Sequence, residues 1–204
     1  TLTNKTLTTP VIAEIDSGST ITLDATTDIV LDADGGDIFF KDGGTTIATH
    51  TNSSSDYVIT TGVQDKDFIV KGDDGGAAIT ALTLDMSAGG QATFNASVIA
   101  KTDTDTSNTG NVTLDFTANQ NFVLTLTGNT TLVNPSTETV GQSGFIAFIQ
   151  DGTGSRTVTL GTDYETAGGA GLSLTSTASA TDLVPYVVVA ANRILLGTPQ
   201  LAFS

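Results

Sequence analysis

Residues 111–128 read NVTLDFTANQNFVLTLTG, and their alternation is the clearest structural signal in the chain. Val112, Leu114 and Phe116 take every second position, ANQN interrupts, and Phe122, Leu124 and Leu126 resume the same period. A period of two belongs to a strand with one buried face, because successive side chains leave opposite sides of the pleat. Two such runs about a short polar break predict an antiparallel hairpin. Working outward, TLVNP, GFIAFIQ, RTVTLG, LSLTS, YVVVA and RILLG supply further strand patterns. DGTGS separates GFIAFIQ from RTVTLG and AAN separates YVVVA from RILLG, both short enough to predict antiparallel neighbours. The interior draws on Leu, Val, Ile and Phe, including Phe145 and either Phe148 or Ile149 according to register. The expectation for residues 111–204 is an antiparallel β-sandwich or jelly roll.

The first hundred residues are written differently. ITLD at 21–24, DIVLD at 28–32 and DIFF at 37–40 are short strand patterns separated by Asp and Gly turns. DIVLDADGG at 28–36 is echoed by DFIVKGDDGG at 67–76, which reads as an imperfect internal repeat. AITALTLDMS and GGQATFNASVIA follow, bringing Ile79, Leu82, Leu84, Phe94 and Val98 toward some interior. Large apolar residues are sparse here, while ordering each residue costs about 1–2 kcal/mol of backbone entropy. Residues 1–100 therefore read as marginal alone, with association of three chains, or stacking as a solenoid, as the remedy. KTDTDTSNTG at 101–110 has no hydrophobic residue and reads as a linker. The layout is all-β: a repetitive β-rich shaft or attachment region at 1–100, a linker at 101–110 and a head domain at 111–204.

Composition narrows the chemistry. The 204 residues carry 22 acidic against 7 basic side chains, a net charge of -15, with 39 Thr, 22 Gly and no Cys. Such a surface repels phosphate backbones and anionic lipid, so neither nucleic acid nor membrane is an expected partner. No run approaches the roughly 18 apolar residues of a membrane helix. Without thiols there is no zinc finger or thiolate nucleophile, and a single His50 gives no histidine-rich metal centre.

The site candidates are few. DADGGD places Asp32, Asp34 and Asp37 around a Gly pair, an arrangement of carboxylates on a sharp loop that Ca²⁺ would accept. It lacks the distal Glu of an EF-hand loop, and Asp and Gly are turn formers in their own right, so calcium is the lesser reading and no other cofactor is implied. Asp85, Asp115 and Glu138 are the acids a glycoside-cleaving pair would draw on, but abundance alone makes some such pair inevitable. His50, in TIATHTNSSSD, reads as a surface-loop residue and not as a triad member. Of Tyr57, Tyr164 and Tyr186, Tyr164 in TDYETAGGAG looks the most exposed and is the candidate ligand contact. No phosphate-binding Gly motif opens a helix.

Several phrases resemble a known family. TLTNKTLTTPVI at 1–12, GNVTLDFTANQNFVLTLTGNTTLVNP at 110–135, GQSGFIAFIQDGTGSRTVTLGTDY at 141–164 and ASATDLVPYVVVAANRILLG at 178–197 are similar to segments of tail fibre and other appendage proteins of tailed bacteriophages. DIVLDADGGDIFFKDGG resembles the repetitive shaft of such fibres more loosely. The resemblance implies a non-enzymatic virion structural protein, commonly homotrimeric, located in a tail fibre or another external appendage. Its implied partners are other virion proteins and a host-surface polysaccharide or protein. It supplies no catalytic residues, and it reads QDGTGSRT, Gln150 to Thr157, as a glycine-rich hairpin. A capsid or neck decoration protein, a polysaccharide depolymerase spike and a bacterial adhesin stand as alternatives.

Overall fold

A computed structural model describes Ile12, Ile15 and residues 17–203. The phrase at 1–12 lies, apart from Ile12, outside the described residues. The chain divides into two compact units, one ending at Ala96 and the other beginning at Ser97. Among the described residues all regular structure is strand, apart from one short 3-10 turn at Ala167–Gly169.

The first unit holds two three-stranded antiparallel meanders. One comprises β1 (Asp37–Asp42), β2 (Thr45–Ser53) and β3 (Asp56–Thr61); the other β4 (Phe68–Asp74), β5 (Ala77–Asp85) and β6 (Gln91–Phe94). Gly43 and Gly44 join β1 to β2 at φ 53° and 83°, and Gly75 and Gly76 join β4 to β5 at 62° and 90°. Positive φ at both central residues is what a two-residue hairpin turn with the right strand twist requires, and glycine meets it without a Cβ clash.

These meanders are the true internal repeat. DIFFK at 37–41 corresponds to DFIVK at 67–71, and each hairpin carries a bulge at the same place, after Phe40 and after Val70. The DIVLD stretch at 28–32, expected as a strand and as the first copy of the repeat, forms no strand, nor does ITLD at 21–24. The Asp-aliphatic-Gly wording occurs twice in succession before residue 45, and only its second occurrence is followed by TTIATHT, a run able to pair with it.

The second unit contains β7 (Thr102–Val112), β8 (Asn121–Leu132), β9 (Ser143–Gln150), β10 (Val158–Leu160), β11 (Tyr164–Thr166), β12 (Thr181–Ala190), β13 (Arg193–Leu196) and β14 (Gln200–Phe203). They form one eight-stranded sheet, in which the path β10-β8-β9-β12-β13-β11 is joined by β7 on β8 and β14 on β12. The sheet is mixed. β8 runs parallel to β7, β9 and β10, and β11 parallel to β13, while β12 is antiparallel to β9, β13 and β14.

This corrects the antiparallel expectation in several places. The stretch 101–110, read as a linker, supplies most of β7; its threonines suit an edge strand whose pairing rests on backbone groups, so missing apolar residues do not prevent it. Leu114 and Phe116, read as strand, lie in the crossover from β7 to β8, yet are only 1% and 3% exposed. Asp115 bends that crossover, its Oδ1 accepting from the backbone N–H of Thr117 at 3.0 Å and of Ala118 at 3.1 Å. The loop thus drops two large side chains into the core, which imitates strand periodicity. DGTGS does not join paired neighbours either, since β9 and β10 are both bound to β8. The AAN turn does join antiparallel β12 and β13. LSLTS is not a strand, although Leu172 and Leu174 pack against the core.

The core comprises inward residues of β8 (Phe122, Leu124, Leu126, Leu132), β9 (Ile146, Phe148), β12 (Val184, Tyr186, Val188) and β13 (Ile194, Leu196). Register puts Phe148 inside and Phe145 and Ile149 on the other face. Phe116, Phe122 and Tyr186 form a ring cluster with centroids 5.0 to 6.4 Å apart, a spacing that adds to simple burial.

Candidate attachment surface

The carboxylates of the chain mostly shape turns. Asp73 Oδ1 accepts from Gly76 N at 2.8 Å, and Asp85 Oδ1 from Ser87 Oγ at 2.7 Å and Ala88 N at 3.0 Å. The Ser87 bond first, then that of Ala88, holds the Asp85 carboxyl below its usual range. Glu138 Oε1 accepts from Asn192 N at 2.9 Å. Asp85 and Asp115 are thus engaged by local backbone and Glu138 by a distant turn, and the acids considered for glycoside cleavage have structural work.

Asp34 lies in the turn before β1, and Asp37 opens that strand. Gly36 closes the turn, donating its N–H to Ala33 O at 2.7 Å and accepting from Asn52 N at 2.9 Å. Among the described residues no three His, Asp or Glu side chains gather as a group able to hold a metal ion. Asp32, Asp34 and Asp37 are therefore not brought together; Asp32 alone lines a cleft on this meander.

Tyr164 is not the exposed residue its neighbours imply. It opens β11, pairs with Ile194 and is 5% exposed within the core. Its turn-rich surroundings connect strands on a barely visible three-residue element, too short to show a period. Burial, and then the charges of Asp163 and Glu138, push its phenol well above the ordinary range. Tyr186 is also buried; its Oη donates to Gln120 O at 2.6 Å, and burial pushes its phenol up to about 12.

The QDGTGSRT loop is closed on itself. Asp151 pairs with Arg156 at 2.8 Å, and the Gln150 side chain accepts from Arg156 N at 2.8 Å while donating to Arg156 O at 2.9 Å. The Arg156 hydrogen bond is the main cause of a lowered Asp151 carboxyl, followed by that of Gly154 N. Elsewhere on the second unit, Thr166, Ala170, Ser173, Leu196, Pro199 and Leu201 line a cleft of about 280 Å³.

His50 lies on β2, not in a loop. It is half-buried, with Nδ1 2.6 Å from Tyr57 Oη, and its ring is 4.9 Å from Phe40 and 5.5 Å from Tyr57. Tyr57 is 71% exposed, and it, not Tyr164, is the tyrosine offered to solvent here. The signal was in the sequence: DYVITT alternates Tyr57, Ile59 and Thr61 on one face, and pairing with β2 sets Tyr57 opposite Asn52.

Residues 108–189 match the family described as "Putative phage tail fibre C-terminal domain". No curated protein and no solved structure matches the chain. Among the described residues no helix is long and apolar enough to cross a membrane. The matched region spans β8, β9, β10, β11 and most of β12, which supply most of the core; β13, with Ile194 and Leu196, lies beyond it. The match covers 82 of the 204 residues, and over that span the chain is similar to a phage tail fibre C-terminal domain, which supports a structural, non-enzymatic role associated with the virion.

Proposed function

We propose that the chain is a segment of an external virion appendage, a tail fibre, in which the first unit serves as shaft or attachment region and the second as a head. Its work is mechanical: to place the head for host-surface attachment or for docking on other virion proteins. The active form is a homotrimer. The observation that carries this reading is the tail-fibre match at 108–189 beside a first unit in which no described residue is buried. Both meanders present an apolar face. Phe68, Val70, Leu82, Leu84 and Phe94 share one face of β4-β5-β6, with Phe94 53% exposed, and further copies of the same chain would cover it. Three copies would also repeat any weak contact, raising effective affinity without a deep pocket.

Electron cryomicroscopy of the intact source particle tests this. A threefold projection from the tail containing this chain is the expected result. A chain lying on the capsid or neck would overturn the fibre reading in favour of decoration.

A further inference from the structure

The two meanders are equivalent strand by strand, and their differences are informative. Ile38 corresponds to Phe68, Phe40 to Val70, Ala48 to Leu82, and His50 to Leu84, as the paired registers and the shared bulge require. Where the second copy keeps an aliphatic stripe, the first has an imidazole tied to a phenol. Beside it is a cleft of about 350 Å³ lined by Asp32, Ile38, His50, Asn52 and Tyr57 among others. We propose that this cleft binds an uncharged sugar ring. The inference deepens the attachment reading and rests on it only for the source of the sugar.

The chemistry is that of a pyranose, which has an apolar face of C–H groups and an equatorial rim of hydroxyls. Tyr57 supplies the platform. Its hydroxyl is fixed by His50 Nδ1 at 2.6 Å, and the Phe40 ring packs against that imidazole at a tilt of 52°, so an exposed ring is already held in place. Binding to a prepositioned ring spares the cost of ordering it. The rim is met by complementary groups: Asp32 offers a carboxylate acceptor, and Asn52 an amide donor, its Oδ1 already accepting from Ser55 N at 3.0 Å. Sugar hydroxyls both donate and accept, so neighbouring hydroxyls suit that pair. A volume near the lower end of ordinary ligand sites fits one or two rings.

Charge selects within the class. Residues 1–96 carry 14 acidic and 4 basic side chains, a field that disfavours sugars bearing phosphate or carboxylate. A quaternary ammonium would tolerate the charge, but it is best held by several ring faces, and Phe40 does not line the cleft.

The test is an NMR titration of the full chain with the methyl glycosides of glucose, galactose and N-acetylglucosamine, with tetramethylammonium as the cation probe. Saturable shifts of the Tyr57 and His50 ring signals with at least one glycoside are expected. Tyr57→Ala should abolish them, and Asp32→Asn, which alters an exposed carboxylate and leaves the strands intact, should weaken binding about tenfold. Val140→Ala, at an exposed position of the second unit, should leave binding unchanged. Absence of any response to the three glycosides, an undiminished response in both Tyr57→Ala and Asp32→Asn, or saturation by tetramethylammonium alone would overturn the proposal. The titration is run at concentrations where copies of the chain associate and the first unit is folded, and because it needs no particle its outcome is independent of where the chain sits on one.

Discussion

The two units contain the same kinds of strand but differ in what those strands bury. Fifteen hydrophobic residues of the second unit form one core, whereas the first buried position along the described chain is Asn108. In the first unit Phe39, Phe40, Tyr57 and Phe94 are between 44% and 71% exposed. Hairpin turns and backbone pairing are therefore enough to specify a meander locally, while burial decides whether it is stable alone. A three-stranded sheet needs a covered apolar face. The second unit covers its own; on the proposed reading the first leaves that task to further copies.

Breaking the second core gives the largest expected effect. Phe122→Ala should cost about 3–5 kcal/mol in chemical denaturation, because a fully buried ring leaves a cavity among Phe116, Tyr186 and the aliphatic strands. Phe94→Ala sharpens the contrast: in dilute monomer it should cost less than about 1 kcal/mol, and in the assembled form about as much as a core substitution. Equal small effects in both states would remove the case for a covered face.

Asp182 offers a polar counterpart. It is 2% exposed, and its carboxylate accepts from Thr175 N at 2.5 Å, Thr175 Oγ1 at 2.8 Å and Ala202 N at 2.9 Å, so it pins the C-terminal strand β14 to β12. Asp182→Ala should cost about 2–3 kcal/mol and release β14, read as rapid amide exchange over Gln200–Phe203. Unchanged exchange there would contradict that role.

Titration reports on the second unit. Tyr164 and Tyr186 both have raised phenols, which favour the neutral form in the folded state. Their contribution is complete below the ordinary phenol range and is lost as pH rises through about 12 for Tyr186. Ultraviolet titration should thus show phenolate formation at these rings coinciding with unfolding of the second unit. Asp151 behaves oppositely: its lowered carboxyl stabilises above the ordinary carboxylate range, and that part is lost as pH falls below about 4. Arg156→Ala should weaken this acid dependence without removing it, because Gly154 N and Thr153 N still donate to Asp151, and it should cost little stability because the pair is partly solvated. The smallest effect is of salt: with -15 on each chain, added salt should raise the melting temperature of an assembly.

Much of the strand content was legible because period-two runs such as FVLTLTG and YVVVA have one buried face. Strand direction was not. A short gap looks the same whether it is a hairpin or a crossover, and residues 113–120 bury Leu114 and Phe116 while reversing nothing. β7 was invisible because an edge strand paired through its backbone needs no apolar residue. Tyr164 misled for a related reason, since its three-residue strand carries no period of its own. In the first unit the repeated Asp-Gly wording was visible, but only pairing partners fix its register, and with that register His50 and Tyr57 fall on one face.

On the proposed reading the second unit is self-sufficient and the first depends on other copies of the chain. Amide hydrogen exchange across a range of protein concentrations tests it most directly. Protection of Asn121–Leu132 and Thr181–Ala190 should be independent of concentration, while that of Thr45–Ser53 and Ala77–Asp85 should rise with it. Equally strong, concentration-independent protection of both units would contradict the account.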